Sequence, residues 1–127
     1  MSVAARVLVV DDDTDIRFGI CTRLKMAGYE TLIACDGEEA VTTATEQLPD
    51  AVLMDVRMPR KDGLTALAEL HRRPSTSHIP VVIVSASLSD EKRALNAGAC
   101  YFLRKPYRGQ NLLSALECAL TKRPRGA

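Results

Sequence analysis

An α/β fold, one parallel sheet held between two layers of helices, is what this sequence predicts, and three observations predict it. Short apolar runs alternate with helix-period segments five times along the 127 residues. Most of the runs are continuously apolar rather than alternating, as expected of strands covered on both faces. No long insert breaks the series, so right-handed crossovers can set successive helices on both sides of a single sheet.

Each element has its own signal. Arg6–Val10 is the first strand. Ile16, Ile20 and Leu24 then share one face of the first helix, and Gly28 stands where a left-handed cap would close it. Glu30–Ala34 is the second strand, and Asp36 with Glu39 fits a capping-box start for the second helix. Ala51–Asp55 is the third strand. Asp62 is placed to cap the third helix just ahead of Gly63 and Leu64, with Leu64, Leu67, Ala68 and His71 expected on one face. Ile79–Ser85 is the fourth strand, and Gly98 is expected to close the helix that follows it. Cys100–Leu103 is the fifth, and Leu112, Leu113, Leu116, Ala119 and Leu120 make an apolar stripe on the last helix. One domain is expected over 1–121. Residues 122–127 then form a basic C-terminal tail, disordered or the start of a linker.

Composition narrows the function classes. A chain of 127 residues suits a single core. With 46% hydrophobic and 26% charged residues it reads as a soluble globular protein. The net charge of +1 gives no strong field to gather nucleic acid or an anionic membrane, so neither is an expected direct partner. The one basic cluster, Lys122, Arg123 and Arg125, is read as a solvated tail. Apolar runs such as Val81–Val84 fall far short of a membrane span, and no signal peptide opens the chain. Cys21, Cys35, Cys100 and Cys118 are widely spaced without a Cys-x-x-Cys pair, which argues against zinc and redox motifs. They are expected as buried or semi-buried thiols in a reducing cytoplasm. His71 and His78 have no ligand-spaced partners, and Tyr29 and Tyr107 are assigned to packing.

In open α/β sheets ligands bind beyond the carboxyl ends of the strands, so the residues at those ends matter most. The first strand ends in Asp11, Asp12 and Asp13, the third in Asp55, the fourth in Ser85, and the fifth in Lys105 before Pro106. Asp13 fits the turn into the first helix better than a metal. Asp11, Asp12 and Asp55 meeting at one rim would repel one another and raise at least one carboxyl pKa. A hard divalent cation removes the conflict. Mg²⁺, with Mn²⁺ as an alternative, takes one or two carboxylates and keeps room for waters and phosphate oxygens. Lys105 adds a compact positive charge and Ser85 a hydroxyl donor. Aspartate is a competent nucleophile for an aspartyl-phosphate, and phosphoryl transfer chiefly needs positioning and charge neutralisation.

Four segments in register, Val9-Val10-Asp11-Asp12-Asp13, Leu53 to Pro59, Val84-Ser85-Ala86 and Leu103-Arg104-Lys105-Pro106, resemble the receiver domain of bacterial two-component response regulators. The resemblance covers nearly the whole chain. It implies a flavodoxin-like three-layer doubly wound (βα)5 sandwich with sheet order 2-1-3-4-5. It implies Asp55 as phosphoacceptor, taking its group from a sensor histidine kinase or a phosphotransfer protein. Asp12 and Asp55 would ligate Mg²⁺ directly, Arg57 through its backbone carbonyl, and Asp11 through water. Lys105 would bind the phosphoryl group, with a cis bond to Pro106. Ser85 and Phe102 occupy the switch positions, through which the face of the fourth helix, fifth strand and fifth helix would change. Arg57 and Ser87 occupy the two positions that tune phosphoryl lifetime. The family is not enzymatic in the ordinary sense: its members assist their own phosphorylation and dephosphorylation.

Two departures and two alternatives accompany the resemblance. The stretch from Ser85 to Gly98 is about two residues short, so the fourth helix is expected to start late or be short, and a monomer is expected rather than a dimer through that face. Arg60-Lys61 replaces small or apolar residues after Met58-Pro59. Asp11-x-Asp13 also resembles the first motif of haloacid-dehalogenase-type phosphatases, with Asp11 as nucleophile and Asp13 as acid. However, Asp15 stands where those have Thr or Val, and no late acidic pair follows. The other alternative is a receiver-like module that binds partners without being phosphorylated. The downstream partner or missing output domain is not specified by these motifs.

Overall fold

A computed structural model describes residues 4–122. Five strands, β1 (Arg6–Val10), β2 (Glu30–Ala34), β3 (Ala51–Asp55), β4 (Val81–Ser85) and β5 (Tyr101–Arg104), alternate with five helices. The helices are α1 (Thr14–Met26), α2 (Gly37–Gln47), α3 (Gly63–Arg72), α4 (Ser89–Asn96) and α5 (Gly109–Lys122). The sheet order is β2-β1-β3-β4-β5 and every pairing is parallel, which is the predicted doubly wound topology. α5 runs through Lys122, the first residue of the expected tail. The rest of the tail, with Arg123 and Arg125, lies outside the described residues.

Successive strand side chains point to opposite faces, and each face has its own core. Val7, Val9, Leu53, Val82, Val84 and Leu103 pack with Cys21 and Leu24 of α1 and Leu112, Ala115, Leu116 and Ala119 of α5. Leu8, Val10, Val52, Met54 and Ile83 pack on the other face with α2, α3 and Ala94 of α4. The central strands are therefore apolar at all but a terminal position, which is why their sequences read as nearly unbroken runs.

Several predicted details shift. β4 starts at Val81 rather than Ile79, because Pro80 has no N–H for the ladder and the Ile79 N–H is taken by the Thr76 carbonyl. β5 spans Tyr101–Arg104, shifted one residue toward the C-terminus from the expected Cys100–Leu103. On α3 the buried face is Leu64, Ala66, Leu67 and Leu70, while His71 is exposed. On α1 the face turns toward Cys21 and Leu24, leaving Ile16 44% exposed. Cys100 is exposed rather than semi-buried.

The helix ends follow the sequence closely. Asp13, Asp36 and Asp62 cap α1, α2 and α3, accepting from the N–H of Ile16, Glu39 and Thr65 at 3.0, 2.8 and 2.8 Å. Gly28 and Gly98 take positive φ of 97° and 110° just past α1 and α4. α4 is short, 8 residues from Ser89, as the shortened sequence predicts, and it has no side-chain cap.

Candidate functional site

The site forms where β1, β3, β4 and β5 end side by side. Asp11 follows β1, and its backbone N–H reaches the Ala34 carbonyl at 3.2 Å. Its carboxylate is buried and accepts from the Asp13 N–H at 2.9 Å. Arg17, one turn into α1, donates to the Asp11 carbonyl at 2.7 Å and ties the helix to the strand tip. Asp12 is exposed, so the second acidic side chain opens to solvent.

Asp55 ends β3 half-buried. One carboxylate oxygen accepts from the Val56 N–H at 2.8 Å and the other from Lys105 Nζ at 3.0 Å. Gly63 sits hard against this strand tip: a Cβ there would collide with the Asp55 carbonyl, so only glycine lets α3 begin so close. Lys105 is held in place by its own N–H, which donates to the Ser85 carbonyl at 2.8 Å, and its bond to Pro106 is cis.

Asp11, Asp12 and Asp55 each offer a carboxylate oxygen, all within 4.8 Å of one another. That spacing and all-oxygen chemistry fit a single Mg²⁺ reached directly or through one water. Burial, above all, pushes the Asp11 carboxyl up; the Asp13 N–H pulls it back, and the Asp55 charge adds to the rise. Burial pulls the Lys105 ammonium down, but its hydrogen bond to Asp55 and the charges of Asp55 and Asp11 outweigh this, so its pKa rises. The rim is thus over-supplied with negative charge on one side and faces a firmly protonated lysine on the other.

The remaining predicted residues take different places. Ser85 is buried, and its hydroxyl donates to Asp90 at 2.7 Å while accepting from the Ser87 N–H at 3.1 Å. The Arg57 side chain runs to the same Asp90 at 3.1 Å. The Ser87 hydroxyl lies 2.7 Å from that of Ser89. Phe102 is partly buried against the α2–α3–α4 core. Arg60, at φ 66°, reaches Asp36 at 3.1 Å, and Lys61 pairs with Glu69, so the basic dipeptide after Pro59 pins the loop to its neighbours.

Sequence reasoning missed Asp90 and Arg17. Asp90 is fully buried, yet its only sequence signal is an acidic residue in the first turn of a helix, which ordinarily points to solvent. Arg17 resembles any helix-surface arginine.

Comparison with known proteins matches this geometry. The sequence profile of the response regulator receiver domain matches residues 7–117. The transcriptional regulatory protein PrrA of Mycobacterium tuberculosis is 38% identical over 120 residues, covering 93% of this chain and 51% of that protein. The chain thus spans about half the length of the curated relatives it matches first. The chemotaxis response regulator CheY4 of Vibrio cholerae superposes with a TM-score of 0.86 at 32% identity, covering 93% of this chain and 100% of that one. The receiver domain of the sensor histidine kinase PA1611 from Pseudomonas aeruginosa, solved with a magnesium ion in its active site cleft, gives 0.87 at 29%, covering 94% and 100%.

Proposed function

Since the chain belongs to the response regulator receiver family of two-component systems, we propose that it is a phosphorylation switch whose acceptor is Asp55. One observation carries this reading: the Asp55 carboxylate lies 3.0 Å from Lys105 Nζ and within 4.8 Å of oxygens of Asp11 and Asp12. A nucleophile, a fixed ammonium and a cation-binding set therefore meet at one strand tip.

Asp12, Asp55 and the Arg57 carbonyl would hold Mg²⁺, with Asp11 acting through water. When bound there, the ion would neutralise phosphoryl charge. The chain's own residues do the rest. An Asp55 carboxylate oxygen attacks phosphorus, the bond from phosphorus to the donor's nitrogen breaks, and the departing imidazole takes a proton. The donor of this class is a phosphohistidine on a sensor kinase or phosphotransfer protein. Lys105 exchanges its bond with the Asp55 carboxylate for one with a phosphoryl oxygen. Ser85 and Phe102 carry the change to the face of α4, β5 and α5, where a downstream protein or an output domain would read it.

The phosphatase alternative loses ground on geometry. Asp11 is buried with one oxygen on the Asp13 N–H, and Asp13 is committed to capping α1, so neither is poised as nucleophile or acid. The test is incubation with acetyl phosphate and Mg²⁺ followed by intact mass. One added phosphoryl group is expected, dependent on Mg²⁺ and absent in Asp55→Asn. A wild-type chain that stays unmodified, or an Asp55→Asn chain that still gains the group, overturns the proposal.

A further inference from the structure

Outside the acceptor cluster, the strongest polar feature of the described residues is the Asp90 carboxylate. It lies in the first turn of α4 with no solvent exposure. One oxygen accepts from Ser85 Oγ at 2.7 Å and from Arg57 at 3.1 Å; the other meets Arg57 at 3.3 Å and Arg93 at 3.5 Å. A carboxylate in the first turn ordinarily turns outward or caps its own helix. This one reaches back across the β4–α4 loop to the site instead.

Hydroxyl chemistry gives the contact its consequence. Serine has one O–H to donate. In this structure that hydrogen goes to Asp90, and the oxygen accepts from the Ser87 N–H at 3.1 Å. Ser85 cannot donate to Asp90 and to a phosphoryl oxygen on Asp55 at once. Moving it to the phosphoryl group requires breaking the Asp90 bond, which loosens α4 from the strand tip.

Building on the proposed phosphoacceptor role, we infer that Asp90 is a positioning residue that latches Ser85 and α4 in the unphosphorylated packing. The latch opposes phosphorylation by competing for the Ser85 hydroxyl, and opening it is what couples Asp55 to α4. Arg57 holds the closed latch from the loop after β3, so both strand tips that flank the phosphoryl position feel its state. Because the latched bond is charge-assisted, replacing the carboxylate by an amide weakens the hold by roughly ten-fold.

The test is a double-mutant cycle with beryllofluoride, a phosphoryl mimic, titrated in Mg²⁺. Asp90→Asn is expected to bind it roughly ten-fold more tightly than wild type. In the Ser85→Ala background the same Asp90→Asn change is expected to alter affinity less than two-fold, which a merely structural role of Asp90 would not produce. In the free chain without Mg²⁺, amide exchange over residues 89–96 is expected to quicken in Asp90→Asn. Circular dichroism checks folding; if Asp90→Asn unfolds, Asp90→Ser, which drops the charge and keeps a small acceptor, takes its place. Wild-type affinity in Asp90→Asn, or an undiminished gain in Ser85→Ala, overturns the latch and leaves the acceptor role standing. Failure of the wild type to bind beryllofluoride at all overturns the acceptor role, and the latch with it.

Discussion

Arg57 and Ser87 lie in the loops that follow β3 and β4, and the structure separates what each touches. Ser87 is half-buried; its hydroxyl meets the Ser89 hydroxyl, its N–H donates to Ser85, and its carbonyl accepts from the Asp90 N–H. Arg57 neutralises the buried Asp90. Both Arg57→Ala and Ser87→Ala are expected to change the dephosphorylation rate, by up to about ten-fold, or ~1.4 kcal/mol of barrier. Ser87→Ala should leave stability within ~0.5 kcal/mol. Arg57→Ala should also cost stability on the order of 1 kcal/mol, a figure kept low because the arginine is mostly exposed. Decay of the phosphorylated species and urea unfolding of each variant check this; unchanged decay in both contradicts it. Asp11, Asp12 and Asp55 were legible from sequence because they close apolar runs whose ends the fold places at one rim, and Lys105 was legible from its Lys-Pro context. Asp90 was not legible, because its burial comes from how a short, uncapped helix docks, and no local pattern encodes that.

The same division appears among the elements. Strand identity was plain wherever both faces are covered, as in β1, β3 and β4. Helix faces were harder: Leu64, Leu67, Ala68 and His71 were expected on one face of α3, but the buried row runs through Leu64, Ala66, Leu67 and Leu70, and His71 is exposed. Alanine and leucine share a helix surface with several small residues, so more than one stripe fits the pattern, and only packing into the core shared with α2 and α4 chooses between them. Leu70→Ala is therefore expected to cost about 2–5 kcal/mol and His71→Ala less than ~1 kcal/mol, measured by denaturant unfolding. Equal losses would contradict the assigned face. The link from the β3–α3 loop to α3 carries a pH signature. Hydrogen bonding from Lys61, with further help from its charge and Arg73, lowers the Glu69 pKa below its ordinary 4.5. A lowered carboxyl pKa contributes stability that is present above 4.5 and fades as pH falls through the folded value. Glu69→Gln should thus be less stable than wild type at pH 7, with the gap closing as pH falls through 4.5 and below. Thermal melts across pH 3 to 7 read the gap, and a constant gap would count against the linkage.

At the scale of the molecule, a near-neutral chain with a net charge of +1 gathers three carboxylates, Asp11, Asp12 and Asp55, at one rim. None of its described helices is long and apolar enough to cross a membrane. A cation binding that rim stabilises the fold by mass action: at a hundred times its dissociation constant the gain is about 2.7 kcal/mol. Mg²⁺ is expected to raise the thermal midpoint of the wild type by several degrees and that of Asp12→Asn by much less. Equal shifts would place the ion elsewhere. The central claim, that the acceptor is the aspartate at the tip of β3, is tested most directly by naming the modified residue. Borohydride reduces an aspartyl-phosphate to homoserine, so the chain is treated with acetyl phosphate and Mg²⁺, reduced, digested and sequenced by mass spectrometry. Homoserine at position 55 alone is the predicted result; homoserine at position 11, or at none, would contradict the account.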